Sequence, residues 1–228
     1  IGMAFLMFEL YEKAKTNALK IAIIAVSLAL VMPTTAKSIK ADTLFTSKDT
    51  RIEAKEWIEK NIQPDIRIAL AHTFFSPPLE QATGQLKEKE RIISTQPELK
   101  NLKSRKLALL IKGRKPSNTY HVYYLRGDNE APGQFLNFWP VIENSMDDLK
   151  KNDVSYIVFN NMDPSEAVKG LHDEAGNVFK PAALFSPYKD NKFRLPYDTT
   201  ELTCMPAGTK ELFSRRAAGP CLVIYKIK

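Results

Sequence analysis

Residues 21–36 read IAIIAVSLALVMPTTA, sixteen positions without a charge. A helix needs roughly 20 apolar residues to cross a bilayer, with about 17 as the short limit. Ala18 and Leu19 extend the run at one end, and the stems of Lys20 and Lys37 can lie along hydrocarbon while their ammonium groups reach the headgroups. The pattern therefore predicts a span over about residues 18–36. Pro33 sits near its far end, where a lost backbone bond is easiest to re-satisfy. Two other readings fit a run of this length: a buried core helix, and a signal peptide with Thr34-Thr35-Ala36 as its cleavage site.

The residues before it favour the span. Residues 1–8 are apolar and uncharged, and Glu9, Glu12, Lys13, Lys15 and Lys20 make a charged loop between the two apolar runs. A signal peptide starting at Met3 or Met7 would carry acids where its leader should be basic. Span, short loop, span is the expected order, with residues 1–40 as the end of a membrane domain and the remnant of a preceding span at its start. The chain then reads as the C-terminal piece of a longer membrane protein.

From Thr50 the pattern changes. Thr50 and Glu53 have capping-box spacing, and Ala54, Trp57 and Ile58 fall on one face of the helix that follows, with Asn61 and Pro64 ending it. Residues 66–72 alternate as a strand. A charged helix is expected over 78–94, a strand over 120–125, a helix within 139–151 that ends in a Lys-Lys-Asn-Asp turn, and a continuous apolar strand over 154–159 that suits a sheet covered on both faces. A short helix over 165–172, a strand over 178–185 and a closing strand over 221–225 complete the series. Strands alternating with helices predict an α/β domain over residues 41–228 with a mostly parallel mixed sheet.

Charge and chemistry refine this picture modestly. The chain has 33 basic and 26 acidic residues, a net +7, which suits anionic headgroups or phosphates without calling for nucleic acid. The positive charges flanking the span are too evenly divided to set its orientation. Cys204 and Cys221 could close a loop in an oxidising compartment, a bridge contributing roughly 3 kcal/mol, or could stand as two separate thiols. Lys100, Lys103, Arg105, Lys106, Lys112, Arg114 and Lys115 put seven cations into sixteen residues without an acid. Lys103, Arg105 and Lys106 are candidates for lipid-phosphate contact, although a charge run is commonly only a solvated face.

Independent catalytic signals are sparse. His72, His121 and His172 lie far apart with no H-E-x-x-H spacing, the cysteines lack metal-ligand spacing, and neither a nucleophile elbow nor a phosphate-binding glycine loop occurs. His172-Asp173-Glu174, ahead of Ala175-Gly176-Asn177, reads as a solvated helix end. Trp57 and the tyrosines of 120–124 read as core. No catalytic, cofactor or metal residue is expected in this chain.

Asp49-Thr50-Arg51-x-x-Ala54-x-x-Trp57-Ile58-x-x-Asn61-Ile62 behind a membrane span, with Phe74-Phe75-Ser76-Pro77 and Gly219-Pro220-Cys221-Leu222-Val223-Ile224-Tyr225, resembles the extracytoplasmic C-terminal region of polytopic glycosyltransferases related to protein O-mannosyltransferases and lipid A aminoarabinose transferases. The resemblance implies a multi-pass enzyme of the cytoplasmic membrane that moves a sugar from a polyprenyl-phosphate donor to a lipid, glycan or protein acceptor on the outer side. It places the catalytic acid in an early loop upstream of Ile1, so residues 1–228 alone should be inactive and partnered by the N-terminal transmembrane domain. The alternative is a non-enzymatic α/β binding module, tethered or secreted, with residues 21–36 as anchor or signal.

Overall fold

The computed structural model describes residues 2–71, 75–95, 118–126, 140–162, 165–194 and 209–228. Two helices open the chain, α1 (Gly2–Lys13) and α2 (Asn17–Thr46). They form a hairpin in which Thr16 caps α2 by accepting from the Leu19 N–H at 3.3 Å. At thirty residues α2 is about 45 Å long. Among the described residues it is the one helix long and apolar enough to cross a membrane, and none of its apolar stretch is buried against protein. Pro33 does not break it. Ser27, Thr35 and Ser38 each turn their hydroxyl back onto the carbonyl four residues earlier, so these polar groups are met within the helix itself.

The helix outruns the expected span. It continues through Lys37 to Thr46, and its last turns reach the α/β domain, where Leu44 is buried. After residues 47–49 come α3 (Thr50–Asn61), β1 (Arg67–Leu70) and α4 (Thr83–Thr95). The chain continues with β2 (His121–Leu125), β3 (Val141–Ile142), α5 (Met146–Lys151), β4 (Tyr156–Asn160) and α6 (Glu166–Val178). It closes with β5 (Pro181–Phe185), α7 (Thr209–Ser214) and β6 (Leu222–Lys226).

The six strands form one sheet in the order β3-β2-β1-β4-β6-β5. β3, β2, β1 and β4 are mutually parallel, while β6 runs antiparallel to both β4 and β5. The mostly parallel, mixed sheet matches the expectation, and both of its faces are covered. On one face Ile68, Leu70, Val122, Val158, Leu222 and Ile224 pack against Ala54, Ile58 and Ile62 from α3 and its C-terminal end. On the other, Ala69, Ile157, Phe159, Val223 and Tyr225 pack against Leu149 of α5 and Val168, Leu171 and Ala175 of α6. Successive residues of a strand point to opposite faces, so β4 and β6 supply both cores at once. Each fully buried aliphatic side chain contributes about 1.5–3 kcal/mol.

Several expected elements shift for identifiable reasons. The helix expected over 78–94 begins only at Thr83, because Gln81 instead bridges Tyr120 in strand fashion, with Tyr120 N–H donating to Glu80 O and Ala82 N–H to Tyr120 O. One turn later the Gln85 amide pairs with both backbone groups of Val122, at 2.9 and 3.1 Å. That side chain replaces the neighbour β2 lacks there, since β3 pairs only with Tyr124 and Leu125. The helix expected within 139–151 shrinks to α5, capped by Ser145, and β3 precedes it. Conversely, α6 runs past the expected end at residue 172. Gly176 lets it approach Tyr225, whose Oη would stand 3.3 Å from a Cβ at that position.

Candidate functional site

The residues that join the long helix to the sheet make a closely bonded polar region. Asp49 caps α3 by accepting from the Arg51 N–H at 2.8 Å and also pairs with the Arg51 guanidinium at 2.8 Å. Burial alone would raise the Asp49 carboxyl, but the hydrogen bonds and charge of Arg51 outweigh it and hold the group below the ordinary aspartate value of 3.8. The cap is thus one residue earlier than the capping-box spacing implies. Thr50 and Glu53 are released for other work, and both turn to residues 215–220.

Thr50 is fully buried; its hydroxyl donates to Pro220 O at 2.7 Å and its N–H to Ala218 O at 3.1 Å. Glu53 takes a two-pronged bond from Arg216, at 3.0 and 2.9 Å. Arg215, 4% exposed, donates to Gly219 O at 3.3 Å and lies 5.2 Å from the centre of the Tyr188 ring. Its own carbonyl accepts from the Lys40 ammonium of α2 at 2.8 Å. Gly219 has φ +95°, and a Cβ there would fall 2.3 Å from Thr50 Oγ1 and 2.6 Å from Asp49 Oδ1. Only glycine fits both the left-handed backbone and the close approach. α2, α3 and the segment leading into β6 are thereby locked into one joint.

Segment 215–221 is fixed to the sheet as well. Asn161, just beyond β4, accepts the Cys221 N–H on its Oδ1 at 2.8 Å and donates its own N–H to Cys221 O at 3.1 Å. Cys221 is a buried thiol whose Sγ lies 3.5 Å from Ser186 Oγ, and burial pushes its pKa up. Burial likewise pushes the Tyr124 phenol up to about 12. Neither group is primed to ionise near neutral pH.

Apart from Cys221, the candidates drawn from the sequence fall outside this joint. Lys103, Arg105 and Lys106, with the rest of their basic cluster, lie outside the described residues, as do His72 and Cys204, so the Cys204–Cys221 pairing does too. His121 opens β2 opposite Arg67, at the amino end of the parallel strands. His172 does not end a helix as its sequence context implies. It lies within α6, stacked on Phe193 at 4.9 Å and edge-on to Phe159 and Tyr225. Among the described residues no group of three or more His, Cys, Asp or Glu side chains is placed to hold a metal. Sequence reasoning missed Arg216 as the partner of Glu53, Gly219 as the close neighbour of Thr50, and Arg215 as the acceptor of Lys40; the only trace was a Gly-Pro pair ahead of an apolar strand.

No protein-family model matches the chain, and no curated protein or solved structure is significantly similar to it. The joint's geometry is therefore the main guide to function. Its two carboxylates, Asp49 and Glu53, are paired with Arg51 and Arg216. What it does is fix the position of a membrane-length helix relative to the sheet.

Proposed function

We propose that this chain is the C-terminal part of a multi-pass membrane glycosyltransferase, which transfers a sugar from a polyprenyl-phosphate donor to a lipid, glycan or protein acceptor. In this reading the α/β domain lies on the extracytoplasmic side of the cytoplasmic membrane, and the catalytic carboxylate sits upstream of residue 1. One observation carries the proposal. The two stretches that carry the resemblance, beginning at Asp49 and at Gly219, meet in space through Thr50 and Pro220, directly where the membrane-length helix arrives. A soluble α/β domain has no need of such a joint, whereas an enzyme acting at the bilayer needs its outer domain held at a fixed angle to its spans.

The chemistry supports a positioning role for this part. Inverting transfer requires a carboxylate to deprotonate the acceptor and cations to hold the departing phosphate. In the joint both carboxylates are already engaged, Asp49 by Arg51 and Glu53 by Arg216, while Lys40 and Arg215 donate to backbone carbonyls.

The test is expression of the whole reading frame in membranes, with transfer followed from a radiolabelled polyprenyl-phosphate sugar. Transfer by the full protein, and none by residues 1–228 alone, is the expected result. A reading frame that supplies no further spans upstream would overturn the proposal and leave a tethered α/β binding module in its place.

A further inference from the structure

The domain meets α2 just where the uncharged run ends. Every side chain of α2 from residue 28 to 35 is exposed, and then Ala36, Lys40 and Leu44, spaced by four on one stripe, are half-buried or buried. Two short pieces of the domain form the rim at this level. One is α7, which packs beside α2 and leads directly into Arg215, whose carbonyl accepts from Lys40. The other is segment 187–189, which lies against it: Tyr188 bridges Arg215, Lys189 N–H donates to Ser214 O at 3.1 Å, and Arg216 N–H donates to Pro187 O at 2.6 Å.

The helix rise gives the depth of this rim. Lys40 stands about 6 Å beyond Ala36 along the axis. Helical side chains lean toward the N-terminus, which carries the Lys40 ammonium, and the carbonyl it meets, back toward the uncharged run. A headgroup layer is about 5–8 Å thick on each side of the hydrocarbon. With α2 as a span, the rim falls inside that layer.

What the rim exposes suits such surroundings. In α7 Leu212 is buried, while its neighbour Phe213 is 41% exposed; Ile39, one residue before Lys40 in α2, is 62% exposed. Lys37 and Lys189 are exposed too. The acids nearby do not cancel them. Glu53 is paired with Arg216 and Asp190 with Arg194, and Asp42 stands about 9 Å beyond Ala36, above the layer. Apolar side chains beside a surplus of lysine are the composition that binds the headgroup region of an anionic membrane. The surface is also continuous with the exposed apolar side of α2, so the bilayer that covers one reaches the other.

We infer that α7, segment 187–189 and residues 37–40 of α2 form a seat on an anionic bilayer, with Phe213 and Ile39 entering the acyl boundary and Lys37 and Lys189 meeting phospholipid phosphates. The seat deepens the glycosyltransferase reading, since it gives the outer domain a second support besides the joint, and it rests on that reading's placement of α2 in the bilayer. The experiment uses the full chain in nanodiscs of brominated phosphatidylcholine, alone or mixed with phosphatidylglycerol. Phe213→Trp places a fluorophore on the rim, and Phe45→Trp places one about 13 Å beyond Ala36, above the headgroups. Subtracting the wild-type emission removes Trp57 and Trp139. The lipid bromines should quench the tryptophan at 213 and spare the one at 45. Phosphatidylglycerol should deepen the quenching at 213, and Lys37→Gln with Lys189→Gln should cancel that gain. The unmutated chain provides a readout that needs no variant to fold: phosphatidylglycerol should slow amide exchange over residues 212–216 by about fivefold for each lysine engaged, with Ile157 and Val158 unchanged. No quenching at 213, equal quenching at 213 and 45, or indifference to phosphatidylglycerol would each overturn the inference. Alkaline carbonate extraction separates the two levels: a chain that stays in the membrane with position 213 unquenched sinks only the seat, whereas a chain that is extracted sinks the membrane reading itself.

Discussion

Helices α2 and α3 follow one another in the chain, separated by residues 47–49, and they treat their apolar side chains in opposite ways. In α2, Ile21, Ile24, Val26, Leu28, Leu30, Val31 and Met32 are all exposed, and at 100° per residue they point in every direction. In α3 the buried residues are Thr50, Ala54 and Ile58, with Ile62 just beyond, all on a single stripe spaced by four. A helix that is apolar all round must be covered all round, and no described residue buries the apolar stretch of α2. α3 has one wet face, on which Glu56 and Lys60 are exposed. Two neighbouring helices thus carry surfaces suited to two different surroundings, and the joint at Asp49, Thr50 and Gly219 connects them.

The comparison breaks most decisively if charge is placed in α2. Each arginine at the centre of a span costs about 2.5–3.5 kcal/mol on insertion scales, so Ile24→Arg with Leu28→Arg should cost roughly 5–7 kcal/mol. The expected outcome is a chain released by alkaline carbonate whose α/β domain still unfolds at its original temperature. Retention in the membrane would remove the bilayer as the solvent of α2.

The converse change spares the membrane and damages the domain. Ile58 is fully buried against Leu70, Val122 and Ile224 in one core. Ile58→Ala should lower domain stability by about 2–5 kcal/mol, seen in thermal unfolding, with carbonate extraction unchanged. A matching loss of membrane residence would mean that the two helices do not answer to separate solvents.

The same contrast explains what could be read ahead of the structure. Elements defined by their own pattern were legible: the uncharged run became α2, the continuous apolar segment at 154–159 became β4, and the closing strand became β6. Elements that depend on distant partners were not. β3 is two residues long and exists because β2 leaves Tyr124 and Leu125 an open edge, and residues 80–82 forgo a helix to lie along Tyr120. The capping-box signature at Thr50 and Glu53 marked a helix start correctly, yet both side chains serve contacts more than 160 positions away, which local spacing cannot reveal. His172 is a similar case: the Ala-Gly-Asn that follows it resembles a helix end, but Gly176 is there to admit Tyr225.

Within the joint itself, effects should be intermediate and coupled. Thr50→Val leaves the Pro220 carbonyl buried without its donor and should cost about 1–3 kcal/mol. Gly219→Ala should also destabilise, since its new methyl must displace the Thr50 hydroxyl and the Asp49 carboxylate. Shortening Thr50 removes part of that collision, so Gly219→Ala should cost less in a Thr50→Ala background, by about 0.5–3 kcal/mol in a double-mutant cycle. Strict additivity would show that the close approach of Gly219 to Thr50 is not what fixes the joint.

The smallest effect should be acid titration of the joint, and it sharpens the comparison because α2 has no titrating group between Lys20 and Lys37. Asp49 is held below the ordinary aspartate value: burial raises it, but the Arg51 hydrogen bonds and charge lower it by more. A carboxylate whose folded value is depressed contributes stability that is complete above its unfolded value, near 4, and is lost as the pH falls through the lower folded value. Asn and Asp are nearly equal as helix caps, so Asp49→Asn should preserve α3 at neutral pH and remove only this acid-sensitive part. Thermal unfolding of the two proteins between pH 6 and pH 2.5 should therefore agree within about 1 kcal/mol at the upper end. The wild type should then lose more stability than the variant below about pH 4, while other exposed carboxylates titrate equally in both and cancel. Parallel curves would show that the Asp49 charge adds nothing to its role as a cap.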